Sequence, residues 1–147
     1  MREILLLTLN GPDHPGVTVE FTQLLSRHAV HILDIGQSVI HEQLSLGMLL
    51  ELPDEQAAGA VMKELLFLAH QHALKINFTP ISEADYEHWV AAEGKPRHIA
   101  TLLGRKLSAA NISHLSAVAA RHGLNIDGIT RLSGRFSLQD SNRHKRA

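Results

Sequence analysis

Residues 44–52 alternate. Leu44, Leu46, Met48, Leu50 and Leu52 share one side of an extended chain, with Ser45, Gly47 and Glu51 on the other. Successive side chains of a β-strand point to opposite faces, so this period of two predicts a strand with one apolar face. Residues 31–41 predict its hairpin partner through Ile32, Ile35, Val39 and Ile40, although Asp34 and Gly36 break the pattern. Glu42-Gln43 is the expected turn between them.

The flanking segments complete a unit. Residues 3–9 form a near-continuous apolar run, as expected of a central strand. The turn formers Asn10-Gly11-Pro12-Asp13-His14-Pro15-Gly16 follow. Val17, Phe21, Leu24, Leu25 and His28 then recur at helical spacing. After Pro53-Asp54, residues 55–73 read as a second helix, with Val61, Leu65 and Leu68 beside Met62, Leu66 and Ala69. Ile76 and Phe78 mark a short last strand, with Pro80 after it. The order is βαββαβ. Such a chain can fold as a four-stranded antiparallel sheet with both helices on one face, the ferredoxin-like α+β arrangement.

The expected organisation has three parts: a first domain over 1–81, a helical linker over 82–96 and an incomplete second unit over 97–147. In the linker, Ser82 followed by Asp85 resembles a capping box, and Tyr86, Trp89 and Val90 suit a short helix. Gly94-Lys95-Pro96 should end it. The pattern then restarts. Residues 97–103 read as a strand. Ser108 caps a helix carrying Ile112, Leu115, Val118 and Ala119 and stopped at Gly123. Residues 124–132 read as another strand. Arg27-His28-Ala29-Val30 and Arg121-His122-Gly123-Leu124 repeat at an offset of 94 residues. No third strand follows, so the second strand would lack its neighbour, and about 50 residues with half a sheet bury little. The chain reads as a fragment with a mobile basic tail from about residue 137.

Composition narrows the chemistry. With no cysteine, disulfide scaffolds, zinc–cysteine sites, iron–sulfur clusters and cysteine nucleophiles are excluded. There is no Asp-x-Asp pair, Gly-x-Ser-x-Gly, Walker loop or Gly-x-Gly-x-x-Gly. His41-Glu42 begins a zinc-protease motif, but Ser45 stands where its second histidine belongs. The eleven histidines offer no three at ligand spacing. No apolar run reaches the roughly 20 residues that span a bilayer, and the N-terminus has no signal-peptide layout. The expected location is cytoplasmic, with no membrane partner. Net charge hides an asymmetry: residues 1–96 carry −8 and residues 97–147 carry +7. Nucleic acid is disfavoured as a partner for the basic half, because its arginines are scattered and Phe136 is the only aromatic after Trp89. The asymmetry reads instead as a sign of truncation, or of a basic piece docking on an acidic one.

The best candidate site is the turn at Asp13-His14-Pro15-Gly16. Backbone amides at a helix start can take a carboxylate, and Asp13 can take an ammonium group. Gly16 clears the approach and Pro15 fixes the backbone before it. The alternative is a well-built strand-to-helix turn in which Asp13 is only the cap.

The unit with Asp-x-Pro-Gly at its first turn resembles the ACT domain, a small-molecule-sensing module that usually binds amino acids. The resemblance extends through Leu33-Asp34-Ile35-Gly36-Gln37-Ser38-Val39-Ile40-His41, Asp85-Tyr86-Glu87-His88-Trp89-Val90, Gly94-Lys95-Pro96-Arg97-His98, Gly123-Leu124-Asn125-Ile126-Asp127 and Arg131-Leu132-Ser133-Gly134-Arg135. These segments are similar to the N-terminal region of long bacterial phosphoserine phosphatases. Those enzymes carry ACT-type domains ahead of a magnesium-dependent domain that hydrolyses O-phosphoserine to serine. The resemblance implies a regulatory region without activity of its own. It implies no cofactor here, with magnesium belonging to the absent catalytic domain. It implies L-serine as ligand, and a homodimer through ACT pairing. The implied ligand residues are Asn10, Gly11, Asp13, His14, Pro15 and Gly16 in the loop, and Asp34, Ile35, Gly36 and Gln37 on the second strand. In the second unit Gly104-Arg105-Lys106-Leu107-Ser108 replaces Asp-x-Pro-Gly, without the acid and the proline. The other reading is a free-standing tandem ACT protein acting through a protein partner, similar to the glycine-cleavage repressor family.

Overall fold

The structure, a computed structural model, describes residues 2–94, 96–132 and Leu138. The chain divides into two compact units, 1–96 and 97–147. The first contains β1 (Glu3–Pro12), α1 (Val17–Arg27), β2 (His31–Ile40), β3 (Gln43–Leu52), α2 (Glu55–Gln71), β4 (Lys75–Ile81) and α3 (Glu83–Ala92). The four strands form one antiparallel sheet in the order β2-β3-β1-β4.

The alternation in β3 sets the layers. Leu44, Leu46, Met48, Leu50 and Leu52 are all buried. Leu9, Leu7 and Leu5 of β1 stand opposite Leu46, Met48 and Leu50 and share their face. Val17, Phe21, Leu24 and Leu25 of α1, with Ala58, Val61, Leu65 and Ala69 of α2, complete this core. The opposite face carries Asn10 beside Ser45, and Thr8 beside Gly47. Each fully buried Leu or Phe contributes roughly 1.5–3 kcal/mol.

β2 owes its irregular sequence pattern to a bulge. Ile32 pairs with Leu50 and Asp34 with Leu49, so Leu33 is the extra residue. Ile32 and Ile35, three apart in sequence, therefore share the helix-side face. The hairpin turn is His41-Glu42, one residue earlier than expected, between the pair Ile40 and Gln43. Both turn residues have positive φ, 49° and 62°. This is the two-residue turn that normally uses Asn-Gly, so its usual sequence signal is missing. Pro80 lies within β4 and not after it. β4 is an edge strand, where a residue without an N–H is tolerated.

Three helices stop in one way. In α1 the N–H groups of Ala29 and Val30 donate to Ser26 and Leu25. Ala73 and Leu74 donate to His70 and Ala69 at the end of α2. Both are Schellman ends, with Ala29 and Ala73 in the left-handed region at φ 52° and 55°. The histidines at the two C-caps also tie the helices together. His28 lies 3.0 Å from Glu64 of α2, and His72 bonds Glu20 of α1. α3 forms in the linker as expected, with Ser82 Oγ accepting the Asp85 N–H at 3.1 Å.

The second unit holds α4 (Ala109–Arg121), capped by Ser108 and closed by the third Schellman end, at Gly123 and Leu124. The strands expected at 97–103 and 124–132 are not formed. The physical reason lies in the sheet order. In the first unit β1 and β2 never touch; each pairs with β3 between them. Among the described residues, 97–103 and 124–132 have no strand between them to bond to. The expected mobile tail from about residue 137 falls outside the described residues, Leu138 apart.

Candidate functional site

The turn between β1 and α1 is held by its backbone. The Asp13 N–H donates to the Glu42 carbonyl at 2.9 Å, fixing the loop to the β2–β3 turn. The His14 carbonyl accepts from Val17 N–H at 3.4 Å, and the Gly16 carbonyl accepts from Glu20 N–H at 3.0 Å. Gly16 is the N-cap of α1 at φ 90°. A Cβ there would meet nothing within 4 Å, so conformation and not crowding calls for glycine, and the space before the helix is open. Gly11 differs. At φ 152°, its Cβ would lie 2.9 Å from Leu74 Cδ2 and 3.0 Å from the Ala73 carbonyl oxygen. Gly11 lets the end of β1 pass close to the start of β4.

No side chain caps α1. The capping role considered for Asp13 is therefore not what its carboxylate does. That carboxylate is exposed and bonds no described residue. His14 is also exposed, with its ring 6.5 Å from that of His72.

The structure divides the ten expected ligand residues between two faces. Asp13, His14, Pro15 and Gly16 make up the turn, and Gly11 stands just before it at the end of β1. Ile35 and Gln37 pair with Met48 and Leu46, which places them on the helix side of the sheet. The Thr18 hydroxyl, in the first turn of α1, donates to Gln37 Oε1 at 2.8 Å. Gln37 thus stands beside the turn. Asp34 and Gly36 pair with Leu49 and Gly47, on the opposite face. Asn10 is on that face too, accepting from Ser45 Oγ at 3.0 Å. Asp34 Oδ1 accepts from its own neighbour, Ile35 N–H, at 2.9 Å.

Thr18 was missed from sequence, because its partner becomes visible only once the bulge is placed. The same holds for Glu42, which contributes a main-chain carbonyl. Among the described residues no group of three His, Asp or Glu side chains is placed to hold a metal ion. No described helix is long and apolar enough to cross a membrane.

Comparison with known proteins agrees with this architecture. A family model for the ACT domain matches residues 3–79. A phosphoserine phosphatase of Mycobacterium tuberculosis is 30% identical over 128 residues, covering 87% of this chain and 30% of that protein. A phosphoserine phosphatase of Streptomyces coelicolor is 30% identical over 131 residues, covering 88% of this chain and 30% of that protein. The chain thus spans about 30% of the length of these two relatives. Among solved structures, a protein provisionally assigned as a glycine cleavage system transcriptional repressor superposes with TM-score 0.53 at 24% identity, over 56% of this chain and 47% of that one. A protein from Galdieria sulphuraria gives TM-score 0.54 at 12% identity, over 84% of this chain and 66% of that one. At these identities the structural likeness speaks for the fold.

Proposed function

The chain belongs to the ACT domain family, and from that premise we propose that residues 1–81 sense a small amino acid, with L-serine the first ligand to test. One observation carries the reading. α1 opens without a side-chain cap while the Asp13 carboxylate, three residues before the N-cap Gly16, is exposed and uncommitted. A zwitterionic amino acid complements both. Its carboxylate suits the positive end of the helix and its ammonium group suits Asp13. Two or three charge-assisted hydrogen bonds at roughly 1.5–3 kcal/mol each, less the cost of association, put an unassisted loop near the millimolar range. A second copy paired against this unit would exclude water and tighten that binding, so a homodimer belongs to the proposal.

Serine is named because the relatives at 30% identity are phosphoserine phosphatases. In a parent enzyme of that kind, the whole protein would hydrolyse O-phosphoserine to serine, and this region would report the product to the catalytic part. Such regulation requires two states that bind serine with different affinity.

Isothermal titration of the 147-residue chain with L-serine, glycine and L-alanine tests the reading. Saturable heat that Asp13→Asn weakens supports it. No heat from any of the three, on a sample shown folded by circular dichroism, overturns it.

A further inference from the structure

We infer that Thr18 is a positioning residue which makes Gln37 part of the turn site, with the Gln37 amide nitrogen meeting an acceptor on the ligand. The inference rests on the amino-acid reading above and assigns which end of the ligand β2 recognises.

The bulge comes first. If β2 continued from Ile32 without it, Asp34 and Gly36 would face the helices and Gln37 would face the other side. The extra residue Leu33 reverses that phase and turns Gln37 toward α1. By the same reversal the strand turns Ile35 and Val39 to the helix side, where Val39 packs against the core. It also gains a polar side chain beside the Asp13–Gly16 turn.

The clamp comes second. Thr22, one turn along α1, bonds back to the Thr18 carbonyl at 2.8 Å, the ordinary habit of a helical threonine. Thr18 does not. Its equivalent acceptor, the His14 carbonyl, already takes the Val17 N–H. The Thr18 hydroxyl instead leaves the helix and bonds Gln37 Oε1. A free glutamine samples many rotamers and loses them on binding a ligand. A glutamine already held by its oxygen has less freedom left to lose.

The chemistry follows from which atom is occupied. With Oε1 engaged, the same planar amide presents its nitrogen, which only donates. Gln37 is therefore matched to an acceptor such as a carboxylate oxygen, and mismatched to an ammonium group. Asp13, only an acceptor when ionised, is matched to the ammonium end. The two side chains give the turn a direction, and a zwitterion would lie with its carboxylate toward β2.

Four proteins titrated with L-serine test this on the whole chain: wild type, Thr18→Val, Thr18→Ser and Gln37→Glu. Their thermal midpoints serve as the structural control. Gln37→Glu replaces the donor with a negative acceptor of the same shape and should weaken serine binding by about 10-fold or more. Thr18→Val should weaken it by about 3–10-fold with the midpoint unchanged, and Thr18→Ser should restore it. The Gln37 side-chain NH2 signals of the wild type should shift during the titration. Wild-type binding with Thr18→Val and Gln37→Glu unchanged overturns the assignment of Thr18 and Gln37 alone. So does a Thr18→Ser variant as weak as Thr18→Val. No binding by the wild type overturns the amino-acid reading, and this assignment with it.

Discussion

Helices α1 and α4 lie 94 residues apart and share their closing logic, Arg27-His28-Ala29-Val30 against Arg121-His122-Gly123-Leu124. Their fates differ. α1 buries Val17, Phe21, Leu24 and Leu25 under a four-stranded sheet, whereas α4 buries no side chain. Leu115, at the offset of Phe21, is 37% exposed, and Phe21 is fully buried. Around α4 the apolar residues of the expected strands lie open, with Ile99 at 95% and Leu103 at 88%. The difference teaches what each kind of element needs. A helix satisfies its own backbone, so a cap, an apolar stripe and a stop suffice to write it. A strand satisfies its backbone only through a neighbour. The second unit has the helix because the helix is local. It lacks the strands because they are not.

Hydrogen exchange gives the largest contrast that could break this comparison. Amides in the central strand β1 open only with the whole first unit. For a domain stable by about 5–15 kcal/mol they should exchange at least about 1,000-fold more slowly than unprotected amides. Amides at 97–103 and 124–132 have no ladder and should exchange close to the unprotected rate. Slow exchange at 97–103 in the isolated chain, read by mass spectrometry or NMR, would show that these residues find a strand partner after all.

The way the first unit reads from sequence follows the same division. The order βαββαβ, the helix positions and the inward face of β3 were legible because each is a periodic pattern over seven or more residues. Three features were not. The turn at His41-Glu42 lacks glycine and asparagine, so its left-handed conformation left no trace. The bulge at Leu33 looked like a broken pattern, since one added residue inverts every later side chain. The absent cap on α1 could not be foreseen while Asp13 stood in a capping-like position. These features govern the candidate site. The loop was found by its turn residues, but the division of Asp34 and Gly36 from Ile35 and Gln37, and the role of Thr18, depend on register.

Core substitution comes next in size. Phe21→Ala should lower the stability of the first unit by about 3–5 kcal/mol, the range for a buried aromatic truncated to alanine. Leu115→Ala at the matched position should cost less, about 1–2 kcal/mol, because more than a third of that side chain stays in water. Urea unfolding of both variants checks the pair. A Leu115→Ala cost similar to that of Phe21→Ala would mean α4 is packed as tightly as α1, and the contrast between the units would fail.

The smallest effect sharpens the meaning of the repeat itself. The tetrapeptide shared by α1 and α4 suggested an internal duplication, but α2 ends on Gln71-His72-Ala73-Leu74 with the same pair of hydrogen bonds. Part of the likeness is therefore a helix stop: histidine at the C-cap, a left-handed residue next, then an apolar one. The element order, and not the tetrapeptide, is what argues for a second related unit. If the stop is the shared device, the left-handed position should respond alike wherever it occurs. Ala29 and Ala73 carry a Cβ at positive φ, where Gly123 carries none. Ala29→Gly and Ala73→Gly should each stabilise the first unit by about 0.5–1 kcal/mol, the strain relieved exceeding the extra freedom of the unfolded chain. Gly123→Ala should fray the last turn of α4 by a similar amount, seen as faster amide exchange at Gly123 and Leu124. A loss of stability in Ala29→Gly would show that the alanine methyl contributes more by packing than it costs in strain, and the three ends would then be alike in hydrogen bonding only.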